Sequence, residues 1–428
     1  MARFVKGIAV VIFSLLGVAS GQVEVARDDN IEPFSLLCRI YNVAKNPPIN
    51  YVDLQEADKI VEEIDELNRS LLEEKRHDEE EDVGNNSETQ VKTTVTREAA
   101  LAQLTLNQIT QKAHKILDDI KKMNVTKEIG KAKAEFDKVI FGDGGNESEL
   151  CQDTVNGMDN RSEVCGKLVM GQKEMVLERT LLWISFCLCA QRTVNSEGIN
   201  QVCGFYVGRI DNYYGWSEQG PWGSSTMWAS IKGGCGKYMQ QHPKSTGEAR
   251  HILDQFLKHL ETGGVYRWGD SGDKVDGSER KAGMLGTGAG KKDGSGSGNS
   301  LVCNGKKGGK LPSSPGGICV YYGPESDHWN NNIPWVKQFQ TALTTLNLAN
   351  NQTATIQRSF KKLQMLQHRA EQIYETAKVM LKVQNPVGLP AAFQNASGNL
   401  TAFNTTRTRS YTCRTHTYFT ILWVLFLL

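Results

Sequence analysis

Residues 95–123 read VTREAALAQLTLNQITQKAHKILDDIKKM. Small and apolar side chains fall at Val95, Ala99, Ala102, Leu106, Ile109, Ala113, Ile116, Ile120 and Met123. The steps between them alternate four and three without a break, which is a heptad repeat and puts all of these residues on one seam of an α-helix. At 1.5 Å per residue the seam runs roughly 43 Å. A seam that long and narrow buries itself against another long helix. The stretch reads as the central rod of an elongated coiled coil; the alternative is a core helix of a bundle.

Two further stretches carry the same signal. In residues 52–77, Ala57, Ile60, Ile64, Leu67 and Leu71 step three, four, three, four, while the other faces are dense in charge. The acidic run Asp78-Glu79-Glu80-Glu81-Asp82 follows and reads as a solvated face or turn, with calcium binding the alternative, and the last part, through Gly84-Asn85-Asn86, reads as a turn at one end of the rod. The run lacks EF-hand spacing. The two stretches then form an antiparallel hairpin. The central helix continues weakly through Phe136, Val139 and Ile140, giving a rod helix over 95–140, and the glycines from Gly142 end it. The third helix spans 333–381, about 73 Å. Trp335, Phe339, Ala342, Leu346, Ala349, Thr353, Ile356, Phe360 and Leu363 hold the four–three step; the phase slips at Leu366 and resumes at Ala370, Ile373, Ala377 and Met380. Val61, Leu72, Leu101, Leu104, Leu343 and Leu348 lie off these seams and are expected to be exposed.

Between the second and third rod helices lies an inserted lobe over about 150–330. It holds Cys151, Cys165, Cys187, Cys189, Cys203, Cys235, Cys303 and Cys319. The apolar run LERTLLWISFCLCA over 177–190 reads as a buried helix. Cys187 and Cys189 resemble half of a metal site. Zinc needs a second pair or histidines at defined spacing, and no His lies between residues 115 and 241, so a disulfide framework is the better reading. Upstream, the stretch around Cys38 reads as a short helix stapled to the body. His251 and His259 lie eight apart on an amphipathic helix over 248–260 and read as surface or packing residues.

Residues 262–317 are dominated by Gly, Ser and Lys, a composition expected to form a coreless loop pinned by Cys303 and Cys319. The run from Gly286 to Lys292 faintly resembles a phosphate loop, but the glycine spacing is wrong and Lys292 stands where Ser or Thr should meet magnesium. No HExxH, GxSxG or Walker loop occurs, so the reading is of a protein that is not an enzyme and has no cofactor and no metal site. A net charge of +1 gives no argument for a nucleic-acid partner.

The two ends read as targeting signals. Arg3 and Lys6 precede an apolar run over 8–18, and Val18-Ala19-Ser20 offers small side chains for signal-peptide cleavage after Ser20 or Gly21. At the other end, Asn404-Thr405-Thr406 are small, residues 407–417 are a polar, basic spacer, and YFTILWVLFLL over 418–428 is apolar but short for a membrane span. That order is the signal for a glycosylphosphatidylinositol (GPI) anchor, with Asn404 the attachment residue and Ser397 or Thr405 the alternatives. The other reading of the tail is a membrane-anchored or buried end. N-x-S/T triplets occur at Asn68, Asn85, Asn124, Asn146, Asn160, Asn351, Asn395, Asn399 and Asn404, the last excluded from glycosylation if it carries the anchor. The compartment is oxidising, so cysteines should pair.

The resulting fold class is mainly α: an elongated antiparallel coiled-coil rod with a disulfide-rich inserted lobe and a Gly-rich loop. This order resembles the variant surface glycoproteins (VSGs) of African trypanosomes. The stretches FSLLCRIYNVAK from Phe34, Tyr321-Tyr322-Gly323-Pro324 and Ile333-Pro334-Trp335 resemble their B-type N-terminal domain. Many members carry a cysteine-rich C-terminal domain, whereas here only a short, cysteine-free tether over 386–404 precedes the anchor signal at 405–428. The resemblance implies a VSG-like domain over 21–385 behind a signal peptide at 1–20. It implies a homodimer held to the outer leaflet of the plasma membrane, packed into a coat that meets host antibodies and is exchanged to escape them. The alternative from another class is a GPI-anchored helical receptor for a host protein such as haptoglobin–haemoglobin or transferrin.

Overall fold

The computed structural model describes residues 23–81, 89–150, 160–166, 180–194, 197–208, 215–238, 241–269, 275–290, 301–308, 315–324 and 328–384. The elements in chain order are α1 (Ile31–Lys45), α2 (Gln55–Glu81), α3 (Thr89–Lys122), α4 (Val125–Phe141), α5 (Arg161–Cys165), α6 (Leu181–Cys189), β1 (Gly215–Ser217), β2 (Gly220–Trp222), α7 (Ser224–Tyr238), α8 (Thr246–Thr262), β3 (Gly264–Trp268), β4 (Gly277–Lys281), β5 (Met284–Gly290), β6 (Gly316–Tyr321), α9 (Trp329–Asn332) and α10 (Pro334–Gln384). The protein is mainly α, as the heptads require. The chain divides into two compact units, Met1–Glu63 with Gln111–Gln367, and Ile64–Thr110 with His368–Leu428.

In the first unit α1 is the centre. Pro33 sits in its first turn, where a missing N–H costs nothing, and Pro47 follows its end. Phe34, Leu37, Cys38, Ile40, Tyr41, Val43 and Ala44 are all buried, so the helix is covered on nearly every side. Its neighbours are α4, α6, α7 and α8. Tyr41 meets Trp228 of α7 edge-on at 5.4 Å, and Phe34 packs on Phe205 at 5.1 Å. In the second unit the seam residues Ile64, Leu71, Ala99, Leu106 and Ile109 are buried. One layer is polar: Gln103 is buried and donates to the Asn68 side-chain oxygen at 2.6 Å, and Asn68 donates to Asn107 at 2.9 Å. Such a layer fixes the register of α2 against α3, because a slip would bury these amides unpaired.

Four expectations need correction. The central helix does not run unbroken to Ile140; it stops at Lys122 and restarts at Val125. The Lys121–Asp58 ion pair, 2.7 Å, sets the antiparallel register, so the break falls level with the start of α2. Beyond that level α2 offers no cover, and α4 packs instead on α1 and, through Phe136, edge-on against Phe339 of α10 at 5.6 Å. Second, α2 runs on to Glu81, past the expected end at residue 77.

Third, the glycine-rich stretch is not coreless. It supplies a sheet of order β4-β3-β5-β6, with β3 parallel to β5 and the other pairs antiparallel. Met284, Leu285 and Ala289 of β5 are fully buried. Glycine serves here because backbones and rings come too close for a Cβ: one at Gly286 (φ +89) would lie 2.5 Å from the Ile318 carbonyl oxygen, and one at Gly290 would lie 2.6 Å from the Tyr266 hydroxyl. The segment from Gly286 is thus an extended strand, not a phosphate-binding turn.

Fourth, α10 has no slip and a wider buried face than its seam alone. Leu363, Ala370 and Ala377, spaced by sevens, are all buried. At the intervening position Gln367 is half-buried and gives its amide to Glu63. Val336 and Leu343, also seven apart, form a second buried row within the core of the first unit. Leu343, at 1% exposure, is therefore not a surface residue, and neither is Val61 at 2%.

Candidate functional site

Among the described residues four disulfides organise the first unit: Cys38–Cys235, Cys165–Cys187, Cys189–Cys203 and Cys303–Cys319. Cys38–Cys235 staples α1 to α7. Cys187 and Cys189 point to different partners, so they are two structural crosslinks and not a ligand pair. Cys151 lies outside the described residues.

Around α6 the framework is completed by buried charge. Arg161 donates to the carbonyls of Ala190 (2.8 Å), Cys187 (2.9 Å) and Phe186 (3.4 Å), and its guanidinium stacks 4.8 Å from the Trp216 ring. A cation suits the C-terminal end of a helix, where carbonyls lack intrahelical partners. Burial pulls the Arg161 pKa down to about 9, and the like charge of Arg192 adds to the shift. Arg192 is itself buried and binds Glu197 at 2.5 Å and also Glu218. Burial alone would raise the Glu197 carboxyl; hydrogen bonds from Lys306 and Arg192 outweigh it and hold the group below its ordinary value. Asn30 donates to the carbonyls of Leu188 and Ile318, joining α6 to β6. Arg267 clamps Asp29 with both terminal nitrogens, at 2.5 and 2.8 Å. These contacts tie α5 to α6, β6 to α6, and β3 to the segment that precedes α1.

The histidines follow suit. His259 has a carboxylate neighbour on α1: its Nδ1 lies 3.6 Å from Glu32. His251 pairs with Gln255 at 3.0 Å on its own helix. Among the described residues no three His, Cys, Asp or Glu side chains are grouped to hold a metal ion. Among them, too, no helix is long and apolar enough to cross a membrane.

The outer surface is where the sequence-derived candidates lie. Leu72 on α2, Leu101 and Leu104 on α3, and Leu348 on α10 are exposed by 42, 54, 55 and 52%. Five glycan acceptors are described. Asn68 is half-buried in the polar layer; Asn124 is exposed between α3 and α4; Asn146 and Asn160 are exposed and cap short helical turns; Asn351 is exposed on α10. Asn85, Asn395, Asn399 and the anchor candidates Asn404, Thr405 and Ser397 lie outside the described residues, as do residues 1–22 with the signal peptide. The polar layer and the Arg161 cap were not anticipated from sequence. Gln103 sits one residue off the apolar seam, which was its one visible signal.

A family model described as "Trypanosomal VSG domain" matches the chain over residues 12–99 and 73–365. No curated protein matches the chain.

Proposed function

Because this chain belongs to the trypanosomal VSG domain family, a family of surface coat proteins, we propose that it is a GPI-anchored coat glycoprotein of the parasite plasma membrane. In this reading the signal peptide (1–20) is removed on export. The domain over 21–385 forms the coat, 386–404 is a tether, and 405–428 is exchanged for the lipid at Asn404, or at Thr405 or Ser397. The coat shields the membrane from host antibodies and is replaced by other coats in antigenic variation. Two copies associate through the leucines left exposed on α3, with Leu72 and Leu348 as further candidates, since exposed apolar stripes of this kind mark interfaces. Both copies stand in one membrane, so a twofold axis along the membrane normal satisfies the geometry.

The observation that carries the reading is the family match from residue 12 to residue 365. Paired cysteines support passage through an oxidising compartment. The buried cationic residues act as framework contacts, which supports a structural role. Treatment of intact cells with a phosphatidylinositol-specific phospholipase C should release the chain as the dominant surface protein. Retention on the membrane, or a sparse protein with saturable binding of a host protein, would overturn the coat reading in favour of another anchor or a receptor.

A further inference from the structure

We propose that Asn124 carries an N-linked glycan and that Asn68, although it heads an equally complete acceptor triplet, stays bare. The assignment rests on the reading of the chain as a secreted surface protein, and it goes beyond that reading by choosing among its acceptors. Transfer joins the Asn Nδ2 to the anomeric carbon of a lipid-diphosphate-linked oligosaccharide. The anomeric C–O bond breaks, the lipid diphosphate leaves, and the amide gives up one proton. The folded chain must then hold a bulky, hydrated group on that nitrogen.

Asn68 cannot. Its Nδ2 donates to Asn107 and its Oδ1 accepts from the buried Gln103, so both ends of the amide are spent inside the α2–α3 seam. A sugar on this nitrogen would push apart two helices whose neighbouring layers, Ile64, Leu71 and Leu106, are at most 1% exposed. It would also strip Asn107 and Gln103 of their partner. A chain modified there does not complete its hairpin.

Asn124 stands opposite in every respect. It is exposed and, although it occupies the N-cap of α4, its side chain makes no cap hydrogen bond. Among the described residues it makes no other side-chain bond. Helical geometry is interrupted here, and the triplet's hydroxyl, Thr126, is exposed as well. The transferase reads the amide and that hydroxyl together, and both are presented to solvent. Asn351 shows the contrast: it is exposed, but its triplet hydroxyl on Thr353 is fully buried and bonded to the carbonyls of Ala349 and Asn50. Asn160 spends its Nδ2 on Glu163 at 2.8 Å.

The test uses the full chain made in its own secretory pathway. Peptide-N-glycosidase treatment in heavy-oxygen water converts each glycosylated Asn to a labelled Asp, and peptide mass spectrometry places the label. We expect label at Asn124 and none at Asn68. Asn124→Gln should migrate faster by one glycan on a denaturing gel, and Asn68→Gln should migrate unchanged. Label at Asn68, or an unlabelled Asn124, overturns the assignment. If no triplet is labelled and the cysteines alkylate as free thiols, the secreted reading itself has failed; if none is labelled but the four disulfides are intact, only the glycan assignment has.

Discussion

Removing Cys38–Cys235 should destabilise the protein more than removing any other crosslink, because of the chain it closes. Its half-cystines are 197 residues apart, whereas those of Cys303–Cys319 are 16 apart. In the loop-entropy account a crosslink restricts the unfolded chain by an amount that grows with the logarithm of loop length, which gives about 5 kcal/mol for the long loop and about 3 kcal/mol for the short one. Two smaller crosslinks, with separations of 22 and 14, lie inside the long loop and shorten its free length too little to alter the result. All four sulfurs belong to residues no more than 2% exposed, so packing losses in the two cases are similar. The double variants Cys38→Ala/Cys235→Ala and Cys303→Ala/Cys319→Ala, compared by equilibrium urea unfolding, should therefore differ by about 2 kcal/mol on extrapolation to water. Equal losses, or a greater loss for the short loop, would refute the reasoning and place the stabilisation in native packing.

Leu101→Glu combined with Leu104→Glu should leave the helical circular dichroism intact and weaken self-association about a hundredfold or more in sedimentation equilibrium, since each leucine withdrawn from an interface forfeits about 1.5–3 kcal/mol; an unchanged dimer would move the interface elsewhere. Gly283 has φ +78, and a Cβ there would lie 1.8 Å from the Gly323 carbonyl oxygen, so Gly283→Ala should cost about 3 kcal/mol or more. In α4 an added methyl at Gly130 meets nothing within 4 Å, and Gly130→Ala should gain about 0.5–1 kcal/mol; thermal melting that fails to separate the two contradicts the sheet geometry. Glu197 is held below its ordinary value of 4.5 despite its burial, chiefly by hydrogen bonds from Lys306 and Arg192. A carboxyl depressed in the folded state contributes stability above its unfolded pKa and loses it as pH falls through the folded one. The melting temperature should thus drop on acidification below about pH 4.5, with a shallower drop in Glu197→Gln; identical pH profiles would remove Glu197 from the account.

The rod helices were legible because their buried residues recur every seven, as Ala99, Leu106, Ala113 and Ile120 do on α3 and Leu363, Ala370 and Ala377 do on α10. The break at Asn124 was not legible, since α4 keeps apolar residues at helical spacing while changing partners from α2 to α1. Leu343 and Val61 were misplaced for a related reason: a seam predicts one covered row, and the first unit covers two. The glycine-rich stretch failed differently. Composition counts side chains, whereas in β5 the backbone itself is the packed surface, and Tyr266 fills the space that missing Cβ atoms leave. That cysteines would pair followed from compartment; which ones pair followed only from the fold, because Cys38 and Cys235 meet through the packing of α1 on α7. The polar layer was hidden because one Gln beside an apolar seam looks like any surface residue until its partner Asn68 is placed opposite.

Mass spectrometry of the intact protein, released from cells by phospholipase C, tests the central claim most directly. The account predicts a mature chain that begins at about residue 21 and ends at Asn404, or at Thr405 or Ser397, with the glycan-phosphate remnant of the anchor on that last residue. A mature chain that retains Cys413 or Leu428 would contradict it.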